Sequence, residues 1–135
     1  MDKYKPGIQD IKPIIEPNKF NFSNERLYKV VKILGPDTME LNTGLIVRLL
    51  GVEVNKRKIE DIMKYYDNFI VGKQVYLKFD EKYKDKEKVI PAYLFLKNKI
   101  FINKELIKLS FANVAKYNFK YKNNFLKIKK EVLIG

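Results

Sequence analysis

The 135-residue chain predicts a mixed fold of the mainly β kind with helices (α+β), a five-stranded β-barrel carrying about three helices. Three observations point there. Short runs rich in β-branched and aromatic residues recur with turn residues between them. One stretch, 58–70, changes to helical spacing in the midst of the strands. Apolar residues make up 46% of the chain, enough for a single domain of this length to close a core.

Residues 1–24 read as an extended lead or linker. Pro6, Pro13 and Pro17 interrupt helix at short intervals, and Gly7 and Asn18 are turn formers. The domain is expected over 25–135. Leu27–Leu34 forms its first strand, with Tyr28, Val30, Val31 and Ile33 as the β-favouring residues. Gly35-Pro36-Asp37 is turn chemistry, Thr38–Leu41 a second strand, Asn42-Thr43-Gly44 a second tight turn and Leu45–Gly51 a third strand. Two short connections in succession make an antiparallel meander.

In 58–70, Ile59, Ile62, Met63, Tyr66, Phe69 and Ile70 form the stripe of an amphipathic helix, with Glu60 and Asp61 at its positive end. Lys73–Phe79 alternates polar and apolar as a half-buried strand does. Asp80–Lys88 reads as a charged loop anchored only by Tyr83. Val89–Leu96 is a fifth strand in which Pro91 argues for an edge or a bulge. Asn103 suits the cap of a short helix, Lys104–Leu109, and 123–132 predict a last helix packed through Phe125, Leu126, Ile128 and Val132. Three strands, a helix, two strands and then helices is the element order of an OB-fold-type Greek-key barrel, an architecture that commonly binds oligonucleotides.

The net charge is +12, almost all from Lys, with Arg only at 26, 48 and 57. An excess of this size attracts polyanions, so nucleic acid is the first partner expected. A membrane surface is disfavoured, because the basic residues are scattered rather than lined along one amphipathic helix. The chain has no Cys and no His, which removes disulfides, thiolate zinc sites, Cys nucleophiles and imidazole acid–base chemistry. Any metal is then a hard cation held by oxygen, such as calcium or magnesium. No apolar run approaches the ~20 residues that span a bilayer, and Met1–Gly7 lacks an apolar signal region. The expected location is cytoplasmic.

Residues 45–56 concentrate the functional question. Arg48 sits mid-strand and Glu53 at the exit, and an unpaired buried charge is costly. Either Arg48 faces water from an edge strand, or the strand end builds a phosphate- or metal-handling site.

Specific strings bear on that choice. Gly35-Pro36-Asp37-Thr38, Val47-Arg48-Leu49-Leu50-Gly51-Val52, Gly72-Lys73-Gln74-Val75, Ala92-Tyr93-Leu94 and Ile102-Asn103-Lys104-Glu105-Leu106-Ile107, in this order and spacing, resemble the staphylococcal nuclease-like (thermonuclease) domain over about residues 27–135. In that family two carboxylates and a main-chain carbonyl hold calcium, two Arg grip the phosphate and a Glu activates water. The resemblance implies metal ligands at Asp37, Glu53 and the Val54 carbonyl, with Arg48 as the first phosphate contact.

The sequence also departs from the family. Lys56 stands at the general-base position, and a protonated ammonium takes no proton from water at neutral pH. Val89 takes the place of the second Arg, and Lys86 or Lys88 would supply charge there without a two-pronged grip. Losing the base and one clamp removes several kcal/mol of transition-state stabilisation. Lys56 is also placed to fill the acidic pocket and replace the ion.

The reading that follows is a nuclease-like module that binds nucleic acid, single strands favoured, and is catalytically degenerate. Arg48, Tyr83, Lys86, Lys88, Lys116 and Tyr117 are its expected contacts. Among them, rings interleaved with Lys (Tyr117, Phe119 and Tyr121 among Lys116, Lys120 and Lys122) suit base stacking, and they suit packing of the last helix equally. The alternative is an active calcium-dependent phosphodiesterase with Glu60 or Asp61 as a rearranged base. A third reading is an accessory domain or partner of a larger DNA-modifying protein such as a modification methyltransferase. The chain itself carries no methyl-transfer motif.

Overall fold

The meander follows the turn chemistry. In the computed structural model, which describes residues 26–80 and 88–134, β1 (Tyr28–Gly35), β2 (Thr38–Leu41) and β3 (Ile46–Leu49) pair antiparallel in sequence order. Val30, Met39, Leu41, Val47 and Leu49 are fully buried, while the alternate residues of β2 and β3 are half-buried on the other face. Register shifts in β1, between Val30 and Lys32 and between Ile33 and Gly35, bend that strand over its partner. The expected lead over 1–24 lies outside the described residues, as do Tyr83 and Lys86.

The chain leaves β3 through Gly51, whose φ of +85° ends the strand and starts a second one, β4 (Val52–Val54). A side chain at Gly51 would also collide with Phe119, since a Cβ there falls 2.6 Å from the ring. A single 3-10 turn, Lys56–Lys58, leads into α1 (Ile59–Phe69). Ile62, Tyr66 and, just past the helix, Ile70 are fully buried. Two residues of the predicted stripe depart from it: Ile59 and Phe69 are exposed.

Strand β5 (Gln74–Lys78) buries Val75 and Leu77, in keeping with its alternation. Strand β6 (Val89–Leu96) pairs antiparallel with β5 and parallel with β3, and β5 returns to β1, so the five strands close on themselves in the order β1-β2-β3-β6-β5. Pro91 pairs with Arg48 but lies beyond the last β5 pair, Lys78 with Tyr93. That one-sided position tolerates a residue without an N–H.

Three features differ from the sequence reading. Two strands not anticipated, β4 and β7 (Ala112–Val114), pair as a separate two-stranded sheet. Three residues are too few to show alternation. Asn103 is not a helix cap: α2 (Ile102–Lys108) is entered from Phe101 without a side-chain cap, and Asn103 is fully buried in its first turn. Its Oδ1 accepts from Leu94 N at 2.9 Å, and its Nδ2 donates to Leu50 O at 2.8 Å and Ala92 O at 3.1 Å. One amide thus joins the exit of β3, the middle of β6 and α2.

Asp80, read as the start of a charged loop, is buried and accepts from Lys120 N at 2.9 Å and the Tyr93 hydroxyl at 3.3 Å. Burial first, and the Asp80 charge second, push the phenols of Tyr93 and Tyr121 above their ordinary value. Of the two roles that the sequence leaves open for Phe119 and Tyr121, packing holds, and both turn inward. Tyr121 meets Tyr93 edge-on at 4.8 Å, and Phe119 lies 5.3 Å from Phe125 of α3 (Lys122–Ile134). Of the expected α3 packing residues only Phe125 is fully buried, and Leu126 faces outward. Among the described residues, no helix is long and apolar enough to cross a membrane.

Candidate functional site

Six of the ten residues singled out in the sequence line one cleft of about 540 Å³: Asp37, Glu53, Val54, Lys56, Lys116 and Tyr117. They come from three segments far apart in the chain, and the fold fixes each separately.

Asp37 lies in the turn between β1 and β2. Its main-chain carbonyl accepts from Leu49 N at 2.8 Å, and the Thr38 hydroxyl donates to its Oδ1 at 2.9 Å. The preceding carbonyl, Pro36 O, accepts from the Tyr66 hydroxyl at 2.6 Å. Burial, and then the nearby Asp37 charge, raise the Tyr66 phenol well above its ordinary value, so it remains a donor throughout the physiological range. The sequence places Tyr66 on the core stripe of α1. The signal it carries is the hydroxyl itself, because a buried tyrosine needs a hydrogen-bond partner.

Glu53 and Val54 lie on β4, and Lys56 opens the 3-10 turn after it. Asn55 holds that turn: its Oδ1 accepts from Arg57 N at 3.0 Å, and its own N–H donates to Phe111 O at 2.9 Å. The β4–β7 ladder, with Glu53 opposite Asn113, brings the segment after β7 alongside. Ala115 N donates to Gly51 O at 3.0 Å and Gly51 N to the Tyr117 hydroxyl at 2.8 Å, which places Lys116 and Tyr117 at the cleft wall. Tyr117 thereby presents its ring, 37% exposed, while its hydroxyl is held by the backbone.

Arg48 is half-buried on β3, opposite Thr38 in register and one residue before the Leu49 N–H that grips the Asp37 carbonyl. It is not among the residues lining the cleft. Its partner across the parallel ladder is Pro91, and Val89, which the resemblance sets in place of a second Arg, pairs with Ile46 two residues earlier. Lys88 precedes that pair and is exposed. Glu60 and Asp61, the candidates for a rearranged base, are exposed in the first turn of α1 and do not line the cleft. A larger groove of about 740 Å³ opens between Tyr65 and Phe69 of α1, Leu96 and Ile100, and Leu109 after α2, and holds none of the ten.

The charges of the cleft nearly cancel. Asp37 and Glu53 contribute two carboxylates, Lys56 and Lys116 two ammonium groups. Calcium takes six to eight oxygen ligands, weighted toward carboxylates. Among the described residues, no group of three or more acidic or other metal-ligating side chains gathers in one place. One oxygen of Asp37 is already engaged by Thr38, and two cations share the walls. The donor set matches a divalent cation poorly.

No protein-family model matches the chain, and no curated protein matches it in sequence.

Proposed function

We propose that the chain is a nuclease-like OB-fold domain that binds nucleic acid, single strands favoured, and lacks efficient hydrolysis. One observation carries the reading: Asp37, Glu53, Val54 and Lys56, four positions assigned by resemblance to the staphylococcal nuclease-like domain, share a single cleft with Lys116 and the half-open ring of Tyr117. The strand order β1-β2-β3-β6-β5, closed by β5 to β1 and with β3 and β6 parallel, supports an OB-type barrel. The net charge of +12 supplies long-range attraction to a polyanion.

Phosphates would be met by Lys56 and Lys116, with Arg48 on the adjoining strand, and a base by the Tyr117 ring. Lys56 in the wall, in place of a carboxylate, offers water no base. The reading with Glu60 or Asp61 as base gains no support, since neither lines the cleft.

Fluorescence anisotropy with labelled single-stranded DNA and RNA tests the proposal. Affinity should fall steeply with salt, with a log–log slope of about −0.7 per phosphate neutralised. Arg48→Ala and Lys116→Ala should each weaken binding and flatten that slope by about 0.7. A salt-insensitive affinity, or no binding to either polymer, refutes it. Rapid cleavage with calcium that Asp37→Ala and Arg48→Ala abolish would refute the loss of hydrolysis.

A further inference from the structure

Resting on the reading of the cleft as a nucleic-acid site, we propose that it binds phosphate without a metal: Lys56 and Lys116 supply the positive charge, and Asp37 and Glu53 serve as anchors for those ammonium groups. Two lysines from unrelated segments line the same walls as Asp37 and Glu53, the two carboxylates there among the described residues. Both are held at the backbone. Lys56 is fixed by the Asn55 side chain and by the Asn55–Phe111 hydrogen bond. Lys116 is fixed between Ala115, bonded to Gly51 O, and Tyr117, whose hydroxyl accepts from Gly51 N. A lysine carries its charge on a flexible four-carbon stem, so a fixed backbone still lets each ammonium swing between a carboxylate and a ligand phosphate.

The same arrangement disfavours a divalent ion. An entering calcium would sit beside two ammonium groups in the same walls, with one Asp37 oxygen already accepting the Thr38 hydroxyl. It then has two carboxylates and one main-chain carbonyl where it takes six to eight oxygens, against two cations in the same walls. A phosphodiester meets no such opposition from the lysines, since it brings the negative charge that they can share.

Two measurements on the full chain decide this. In the first, binding of a labelled single-stranded oligonucleotide is compared in excess chelator and in calcium. The expected result is the same affinity in both, with Lys56→Gln and Lys116→Gln each weakening it roughly fivefold at low salt, equivalent to about 1 kcal/mol per lost phosphate contact. In the second, calcium is titrated calorimetrically into the unliganded protein. The wild type should show no stoichiometric binding below ~1 mM, the weak end of calcium modules. Lys56→Glu combined with Lys116→Gln should gain calcium affinity by about tenfold or more, as a third carboxylate replaces two cations. Folding of each variant is checked by circular dichroism, and both lysines are exposed, so little change is expected there. Oligonucleotide binding that requires calcium overturns this inference while leaving the nucleic-acid reading intact. Tight one-to-one calcium binding by the wild type, unchanged by Lys56→Glu, also overturns it. Absence of oligonucleotide binding under both conditions refutes the nucleic-acid reading and this inference together.

Discussion

Replacing Asn103 is the most searching test of how the barrel is held together. The side chain is fully buried and makes three hydrogen bonds, at 2.9, 2.8 and 3.1 Å. In Asn103→Ala, Ala92 O keeps a second partner, Leu50 N at 3.0 Å. Leu94 N–H and Leu50 O lose the amide they were bonded to. A buried polar group left without its partner costs about 1–3 kcal/mol, so two of them cost about 2–6 kcal/mol before any cavity term. Domains are stable by about 5–15 kcal/mol, so the variant should sit near the edge of folding.

Asn103→Asp separates hydrogen bonding from volume. Its ionised carboxylate would still accept from Leu94 N but would set an anionic oxygen against the carbonyls of Leu50 and Ala92. Protonation restores a donor. Burial therefore raises this carboxyl in the folded state above its unfolded value of about 3.9, so the folded form binds the proton more tightly. Stability of the Asp variant is then greatest below pH ~4 and is lost as pH rises through the folded value. Urea unfolding followed by far-ultraviolet circular dichroism reads both effects, the chain having no Trp, and an unchanged m-value confirms the same two states. A loss under about 1 kcal/mol for Asn103→Ala, or an Asp variant whose stability does not rise on acidification, would refute the reasoning.

Further outcomes follow from other contacts. Tyr66→Phe removes the 2.6 Å donor to Pro36 O and should destabilise by about 1–2 kcal/mol in the same urea assay, while weakening oligonucleotide affinity by freeing the Asp37 turn. Gly51→Ala must adopt a φ of +85° with its Cβ 2.6 Å from the Phe119 ring, and should lose at least ~2 kcal/mol. Adding Phe119→Leu to Gly51→Ala should cost less than the separate losses combined, which a double-mutant cycle measures. On alkaline titration, Tyr65, raised from 10.0 to about 12 by burial and then by Glu105, should ionise late with Tyr66, Tyr93 and Tyr121. Their folded values are raised, so the stability they contribute is complete below pH 10 and declines as pH climbs through 12 and beyond. Phenolate absorbance should show a late group that titrates together with loss of the circular dichroism signal.

The parts of the fold that were legible are those in which local chemistry and tertiary packing agree. Gly35-Pro36-Asp37 and Asn42-Thr43-Gly44 dictate tight turns, and the 58–70 stripe has one helical solution, so β1 to β3 and α1 are readable to within a residue or two at their ends. Elements that depend on distant partners are not. Ala112–Val114 becomes a strand only because Val52–Val54 offers an edge. Asn103 carries a cap signal, yet the pull of three backbone groups from β3 and β6 outweighs it. Asp80 looks like a loop charge, because nothing local reveals that Lys120 N–H and the Tyr93 hydroxyl converge on it.

The site shows the same division. Asp37, Glu53 and Val54 could be singled out by resemblance, from the strings that contain or precede them, whereas the placing of Lys56 and Lys116 on one cleft depends on a ladder between residues about 60 apart. Phe119 and Tyr121 suit stacking and packing equally in the sequence, and the packing of α3 takes them inward and leaves Tyr117 as the open ring of the three.

The Gly51–Tyr117 hydrogen bond spans 66 positions, and through it the cleft has a birth date. During synthesis, residues 36–59 leave the ribosome with both carboxylates and one lysine, but their opposite wall is still untranslated. Only after Tyr117 has emerged can the second lysine and the ring take their places. A growing chain beside ribosomal RNA thus carries much of its positive charge long before it has a groove to direct it. The two walls of the cleft come together late, with the last of the core.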